Sequence, residues 1–271
     1  MEKFRIEDIT KENIKDLCLI CIPPEKIGHP AFITGMEEKR KWATKMLQEW
    51  GKFAKLSYRE STAVGLIQYK PVPQERVIYI YCIFVPEKAQ WQKGIATQLL
   101  SNLIADMKKP KLWFDNKPAL ALVTRTFAGE KTGQFSARLF FKKMGFKQVG
   151  EDPDFLYYPL VEGFIYQPSE KENEYIPQDE DKGKALLFHG PSYCPFSYFF
   201  LKITEQTIKE IAPGISTRWI DSSQEPEEVR KRGNIEGCVV NTKPIKSFVL
   251  DKEDFQKEVT EALKYFKNKI K

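Results

Sequence analysis

The chain has 271 residues, more than one domain of ordinary size, so two separate cores are expected. A hydrophobic fraction of 42% and an aromatic fraction of 13% exclude a largely disordered chain. The net charge of +6 comes from 43 basic residues interleaved with 37 acidic ones, which argues against a nucleic-acid groove and leaves room for an anionic ligand.

In chain order, residues 4–8 predict a short strand and 11–21 a helix stopped by Pro23 and Pro24. A second helix is expected over 36–50, with Trp42, Met46 and Trp50 four apart on one face. Strands over 53–60 and 63–70 follow, and the β-branched and aromatic run 77–85 reads as a buried central strand. Next comes the strongest helical pattern, Ile95, Leu99, Leu100, Leu103, Ile104 and Met107, ended by Lys108-Lys109-Pro110. A strand over 119–127 and a short helix over 136–144, closed by Gly145, complete this half.

Residues 166–183 carry two prolines, many acidic side chains and little to bury, which predicts a linker between domains at 1–165 and 184–271. Beyond it the order is strand 185–188, helix 196–211, strand 216–220, helix 225–231, strands 238–241 and 247–250, and helix 252–270. That order is thioredoxin-like. The last helix is expected to place Phe255, Val259, Leu263, Phe266 and Ile270 on one stripe.

A strand that turns sharply into an amphipathic helix makes an anion site, because the first N–H groups of a helix have no intrahelical partner. Gly94 permits close approach of the backbone, Ala96 keeps the next turn uncrowded, and Lys93 offers a point charge. The stretch Tyr81-Cys82-Ile83-Phe84-Val85, followed by Gln90-Trp91-Gln92-Lys93-Gly94-Ile95-Ala96-Thr97, resembles the acetyl-CoA signature of the GNAT acetyltransferases. A second stretch, Ala137-Arg138-Leu139-Phe140-Phe141-Lys142-Lys143-Met144-Gly145-Phe146, is similar to a later segment of the same family. The resemblance covers residues 1–165 and implies an α/β fold with a GNAT-type mixed sheet and flanking helices, followed here by the smaller thioredoxin-like α/β domain.

It further implies acetyl-CoA as co-substrate and transfer of its acetyl group to an amine, small-molecule or peptide, by direct attack in a ternary complex. Ile83, Phe84 and Val85 would offer backbone groups to the acetyl carbonyl and pantetheine arm. Amides from Gln92, Lys93, Gly94, Ile95, Ala96 and Thr97 would hold the pyrophosphate. Two positions depart from the family pattern. Trp91 stands where Gln or Arg is usual, and Phe141 replaces a tyrosine that protonates the departing thiolate, so that Phe141→Tyr is expected to preserve or raise turnover. No general base is identified; Glu37, Glu38, Tyr79, Tyr81 and His29 are the candidates. A noncatalytic acetyl-CoA-binding protein remains an alternative.

Cys18 and Cys21 have the spacing of a zinc half-site, with His29 following, but no second pair completes it, so buried thiols and no metal are expected. Cys82 is expected in the core and His189 in a turn. Cys194, in Ser192-Tyr193-Cys194-Pro195-Phe196-Ser197, opens a helix whose N-terminus favours thiolate. It resembles a glutaredoxin site with Ser197 in place of the second cysteine, and a thiol redox protein acting through Cys194 is the other alternative. An acetyltransferase module joined to such a domain resembles the YoaP-type members of the superfamily. The start of the chain lacks a signal-peptide core and no apolar run reaches about 18 residues, so the cytoplasm, without a membrane partner, is the expected location.

Overall fold

The structure is a computed structural model that describes residues 4–126, 136–169, 175–190, 192–222, 224–233, 235 and 237–267, the side chains of 265–267 excepted. It divides into two compact units, Met1–Pro23 with Ala43–Ser169, and Pro24–Trp42 with Glu170–Lys271. Where contiguous domains were expected, residues 24–42 therefore group with the second unit.

The strands of the first unit are β1 (Arg5–Asp8), β2 (Ala54–Arg59), β3 (Thr62–Val72), β4 (Val77–Phe84), β5 (Ala121–Arg125), β6 (Lys147–Val149) and β7 (Asp152–Pro159). They form one sheet in the order β1-β2-β3-β4-β5-β7-β6. Only β4 and β5 run parallel, and the helix α3 (Ile95–Met107) makes the crossover that a parallel pair requires. The apolar spacing in α3 does what it predicts: Ile95, Leu99, Leu100, Leu103 and Met107 are buried, packed with Ile67, Ile78, Ile80 and Leu122 of the sheet. Gly65 in β3 sets the depth of that packing. A Cβ there would stand 2.6 Å from Cγ2 of Ile95 and 3.2 Å from Cδ1 of Leu99.

Several boundaries differ from expectation. The helix α1 (Ile14–Leu19) is shorter than residues 11–21. The next, α2 (Pro30–Trp50), starts six residues before 36, since proline fits the first turn of a helix and the ring Nδ1 of His29 accepts from the Ala31 amide at 3.2 Å. The strand expected over 119–127 is the shorter β5, and Phe127 lies outside the described residues. The helix α4 (Ala137–Lys143) is capped by Ser136, whose Oγ accepts from the Leu139 amide, and Gly145 beyond it has φ 91°. Strands β6 and β7 were not anticipated.

The second unit holds β8 (Lys184–His189), α5 (Pro195–Ile211), β9 (Ser216–Asp221), α6 (Pro226–Arg232), β10 (Gly237–Val240), β11 (Lys243–Ile245) and α7 (Lys252–Lys267). Its sheet runs β11-β10-β8-β9, with β8 and β9 parallel and the remaining pairs antiparallel. Leu187, Val240, Ile208, Phe255 and Val259 form its core; Phe266 and Ile270 are not among the described side chains. The last strand lies at Lys243–Ile245 and not at 247–250. Asn241 and Thr242 both adopt left-handed φ, 46° and 66°, and so close a two-residue hairpin directly after β10. In the same unit Phe32 of α2 packs against Phe196 at 5.0 Å and Phe199 at 4.8 Å.

The expected linker is anchored at both ends. Tyr166 is buried and donates to Glu75 at 2.6 Å within the first unit. Asp181, also buried, receives the Arg232 guanidinium at 2.9 and 2.8 Å and the Tyr175 hydroxyl at 2.7 Å within the second. Arg232 is fully buried, so its forked pairing with Asp181 meets the donor demand that burial creates.

The contact at Gly65 yields a direct test. Gly65→Val must push α3 away from β3 and should lower the unfolding free energy by about 1–3 kcal/mol, measured by urea denaturation. An unchanged midpoint would show that α3 does not rest there.

Candidate functional site

The site is assembled from the end of β4, the turn that follows and the start of α3. Two features separate β4 from β5 at this end. Opposite Gln68 and Tyr69 of β3 the register on β4 skips from Cys82 to Ile80, so Tyr81 is a bulged residue. The parallel pairing with β5 then ends at Ile80↔Thr124, where the Thr124 hydroxyl donates to the Ile80 carbonyl at 3.1 Å. Beyond that point β5 is drawn to β7: Arg125 pairs with Asp152, and the Thr126 amide donates to the Asp154 carbonyl at 2.7 Å. Burial raises the Asp152 carboxyl, but the Asp154 amide and Arg125 outweigh it and hold the group below its ordinary value.

As a result, β4 is not the fully buried central strand that residues 77–85 predict. Residues from Tyr81 to Phe84, and Val85 after them, are half-buried, and Cys82 with them is half-buried where a core position was expected. Ile83 and Phe84 pair with β3 on one side, and their β5 side lies past the last β4–β5 pair.

The turn has a definite backbone shape. After the 3-10 turn Lys88–Gln90, Trp91 is extended, Gln92 has φ 62°, and Gly94 has φ 84° and ψ 9°. Left-handed residues at 92 and 94, followed by helix, form a concave run of N–H groups suited to an anion. For glutamine that conformation costs about 1 kcal/mol, a strain of the kind found at ligand sites. No side chain caps α3, and its first backbone bond runs from Gln98 to Gly94 at 2.9 Å, which leaves Ile95, Ala96 and Thr97 as the helix-start donors. Gly94, Lys93 and Ala96 are half-buried, while Gln92 and Thr97 are exposed.

Trp91 ties the turn down: its indole N–H donates to the Val85 carbonyl at 2.9 Å, with Lys88 over the ring at 5.8 Å. The Val85 carbonyl is thus already engaged. Gln90 is buried, and its Oε1 has no hydrogen-bond partner among the described residues. Sequence reasoning missed this role of Trp91 and the pull of Arg125 and Thr126 on β5. Gly65, isolated within a strand, carried a readable signal of close approach.

The candidate bases are divided between the two units. Tyr79 and Tyr81 share β4 with ring centroids 5.5 Å apart. Burial pushes the Tyr81 hydroxyl above its ordinary value, so at neutral pH it can give a proton but is a poor acceptor of one. His29, Glu37 and Glu38 belong to the second unit, where His29 caps α2, Glu37 is exposed and Glu38 accepts from Lys41 at 2.7 Å.

Phe141 is a core residue, 3% exposed, with its ring 5.3 Å from Phe140 and 4.8 Å from Phe146. Cys18, Cys21 and Cys238 are buried, and burial followed by the Glu258 charge pushes the Cys238 thiol up to about 12. Cys194 is half-buried at the start of α5, where a Cβ on Gly35 of α2 would stand 2.9 Å from the Pro195 carbonyl oxygen. His189 is not in a turn; it ends β8 and is buried. Among the described residues no helix is long and apolar enough to cross a membrane, and no group of three or more His, Cys, Asp or Glu could hold a metal ion.

The burial of Phe141 reverses the expectation for its tyrosine variant. Phe141→Tyr puts a hydroxyl between two phenylalanine rings and should cost about 1–3 kcal/mol, read as a lowered urea midpoint. Unchanged stability with raised turnover would mean that the hydroxyl reaches a reacting group.

No curated protein matches the chain. Among solved structures, the PaiA N-acetyltransferase from Thermoplasma acidophilum in complex with coenzyme A is similar at 15% identity over 58% of this chain and 97% of that one, TM-score 0.41. A GNAT family acetyltransferase from Brucella melitensis in complex with acetyl-CoA is similar at 10% identity over 63% and 95%, TM-score 0.42. An N-acetyltransferase from Staphylococcus aureus Mu50 is similar at 20% identity over 59% and 100%, TM-score 0.40. The family model described as Acetyltransferase (GNAT) family matches residues 28–146, under half of the chain, a stretch that includes β4, the turn and α3.

Proposed function

We propose that the first unit is an acetyl-CoA-dependent N-acetyltransferase. The observation that carries the reading is the pair of left-handed residues, Gln92 and Gly94, leading into the uncapped start of α3. Acetyl-CoA is the co-substrate of the GNAT family, and its pyrophosphate is the anion that such a turn suits. Amides from Gln92 to Thr97 hold the pyrophosphate, and the backbone of Ile83, Phe84 and the Val85 amide receive the pantetheine arm and acetyl carbonyl past the end of β5.

The acceptor is an amine, on a small molecule or a peptide. Its nitrogen attacks the thioester carbon, the C–S bond breaks, and the proton lost by nitrogen ends on the coenzyme A sulfur or on solvent. With Phe141 in the core, the chain supplies no phenol at the family's tyrosine position; the low basicity of a thiolate lets it leave without one. The protonated Tyr81 hydroxyl is the nearest chemical equivalent on β4.

The second unit we read as a thioredoxin-like, YoaP-like module, on its order β-α-β-α-β-β-α and its sheet β11-β10-β8-β9. The redox alternative lacks a second sulfur beside Cys194: Ser197 occupies that place, and Cys238 is buried with a raised pKa. A cytoplasmic location is part of the same proposal.

Calorimetry with acetyl-CoA tests the site. Gly94→Glu adds bulk at a left-handed position and a negative charge at the helix start, and should weaken binding by about 10-fold or more. Equal affinity in the two proteins would remove the turn from consideration. Thiol release from acetyl-CoA in the presence of an amine panel separates transfer from binding alone.

A further inference from the structure

We infer, granted the acetyl-transfer reading, that Lys70 anchors the acceptor and that the acceptor class is amines that also carry a carboxylate, free α-amino acids foremost. Lys70 lies on β3 and is the partner of Tyr79 on β4, so the two side chains share one face of the sheet. On that face Tyr79 packs with Val77, Val123 and Tyr157, whereas Ile78 and Ile80 pack under α3. Lys70 thus stands on the side of the sheet away from α3.

The ammonium of this lysine has no counter-ion. Lys70 is half-buried, its Nζ lies 5.6 Å from the centroid of the Tyr81 ring, and no carboxylate among the described residues pairs with it. The acid nearest in sequence, Glu75, is taken by the Tyr166 hydroxyl at 2.6 Å and the Ser169 amide at 2.8 Å. By contrast, Lys55 of β2 holds Asp8 and Arg125 of β5 holds Asp152. Burial alone pushes the Lys70 ammonium below its ordinary pKa, with no charged neighbour to offset it. A cation drawn out of water without a partner costs free energy that the anionic group of a ligand recovers.

Position selects what that anion is attached to. The gap between β4 and β5 opens past Ile80↔Thr124, and the core of Ile95, Leu99 and Leu103 fills the α3 face of the sheet. An amine bound for a thioester in that gap therefore comes over the opposite face, across Tyr81. From Tyr81 to Ile83 the strand advances about 7 Å. A carboxylate one hydrogen bond from the ammonium, about 2.8 Å, leaves about 4 Å to the amine, which is the reach of an α-amino acid. The rings of Tyr79 and Tyr81, 5.5 Å apart, offer aromatic surface to its side chain.

The test uses the full chain. Calorimetry compares N-acetylalanine with N-acetylalaninamide, the products of transfer to the acid and to its amide, and thiol release from acetyl-CoA compares alanine with alaninamide. The acid should bind about 10-fold more tightly and react with a kcat/KM higher by a similar factor. A free carboxylate makes the amine more basic and less often deprotonated at neutral pH, so a preference for the acid is the work of binding. Lys70→Met should lower the acid-to-amide ratio by about 10-fold in both assays, with a urea midpoint at or above that of the wild type, since an unpaired ammonium is removed. Equal binding of acid and amide, or an undiminished ratio in folded Lys70→Met, would overturn the proposal. Transfer to amines with no preference for a carboxylate would overturn it and leave acetyl transfer standing. Transfer to no amine, with the acid still bound through Lys70, would sink the transferase and keep Lys70 as an anion subsite. If Lys70→Met does not fold, the contrast between acid and amide in the wild-type protein decides.

Discussion

The depth to which α3 sinks onto β3 governs the turn at the end of β4. Ile95, the first residue of α3, occupies the space that any side chain at position 65 would fill, with Leu99 one turn on beside it. A helix held that close cannot rotate or slide without losing contact along Leu99, Leu100, Leu103 and Met107, all fully buried. The direction of its first amides is therefore set by apolar packing and not by a polar cap. An uncapped start is normally a cost, and it persists here because the buried face of thirteen helical residues outweighs the missing cap.

The opening between β4 and β5 has a different origin. Parallel strands stay together while their hydrogen bonds match, and at Ile80↔Thr124 the match is lost on both sides. The Tyr81 bulge changes the advance of β4, and Arg125 with Thr126 commit β5 to β7 through Asp152 and Asp154. Tyr81 and Asp152, 71 positions apart along the chain, thus cooperate to free the edge of one strand.

That cooperation explains what could and could not be read in the sequence. Helix α3 was legible because a period of 3.6 is local, and its end at Met107 follows from Lys108-Lys109-Pro110. The order of elements in the second unit was legible for the same reason. The bulge was not, because nothing in Tyr-Ile-Tyr-Cys-Ile marks which residue is skipped until β3 sets the register. In residues 166–183 the polar composition does not mark Tyr166 and Asp181 as buried, because their partners Glu75 and Arg232 lie far away in sequence. Pro30 was passed over as part of a helix, although at the first helical position its missing N–H costs nothing.

The departure at Trp91 follows from the same division between local and packed structure. In the proposed anion site the donors are backbone amides, which every residue type but proline carries, so what matters is their direction, fixed by φ at Gln92 and Gly94 and by Ile95 on Gly65. A long polar side chain three residues before Gly94 is one way to steady such a turn. The indole of Trp91 is another, since it holds the Val85 carbonyl and so joins the end of β4 to the residue before the first left-handed position. Tryptophan in place of the Gln or Arg of the resembled motif braces the turn through its indole and leaves the backbone amides unchanged. The cost falls on the Val85 carbonyl, which is spent on the brace, so in the proposed site Val85 has only its amide to offer a ligand.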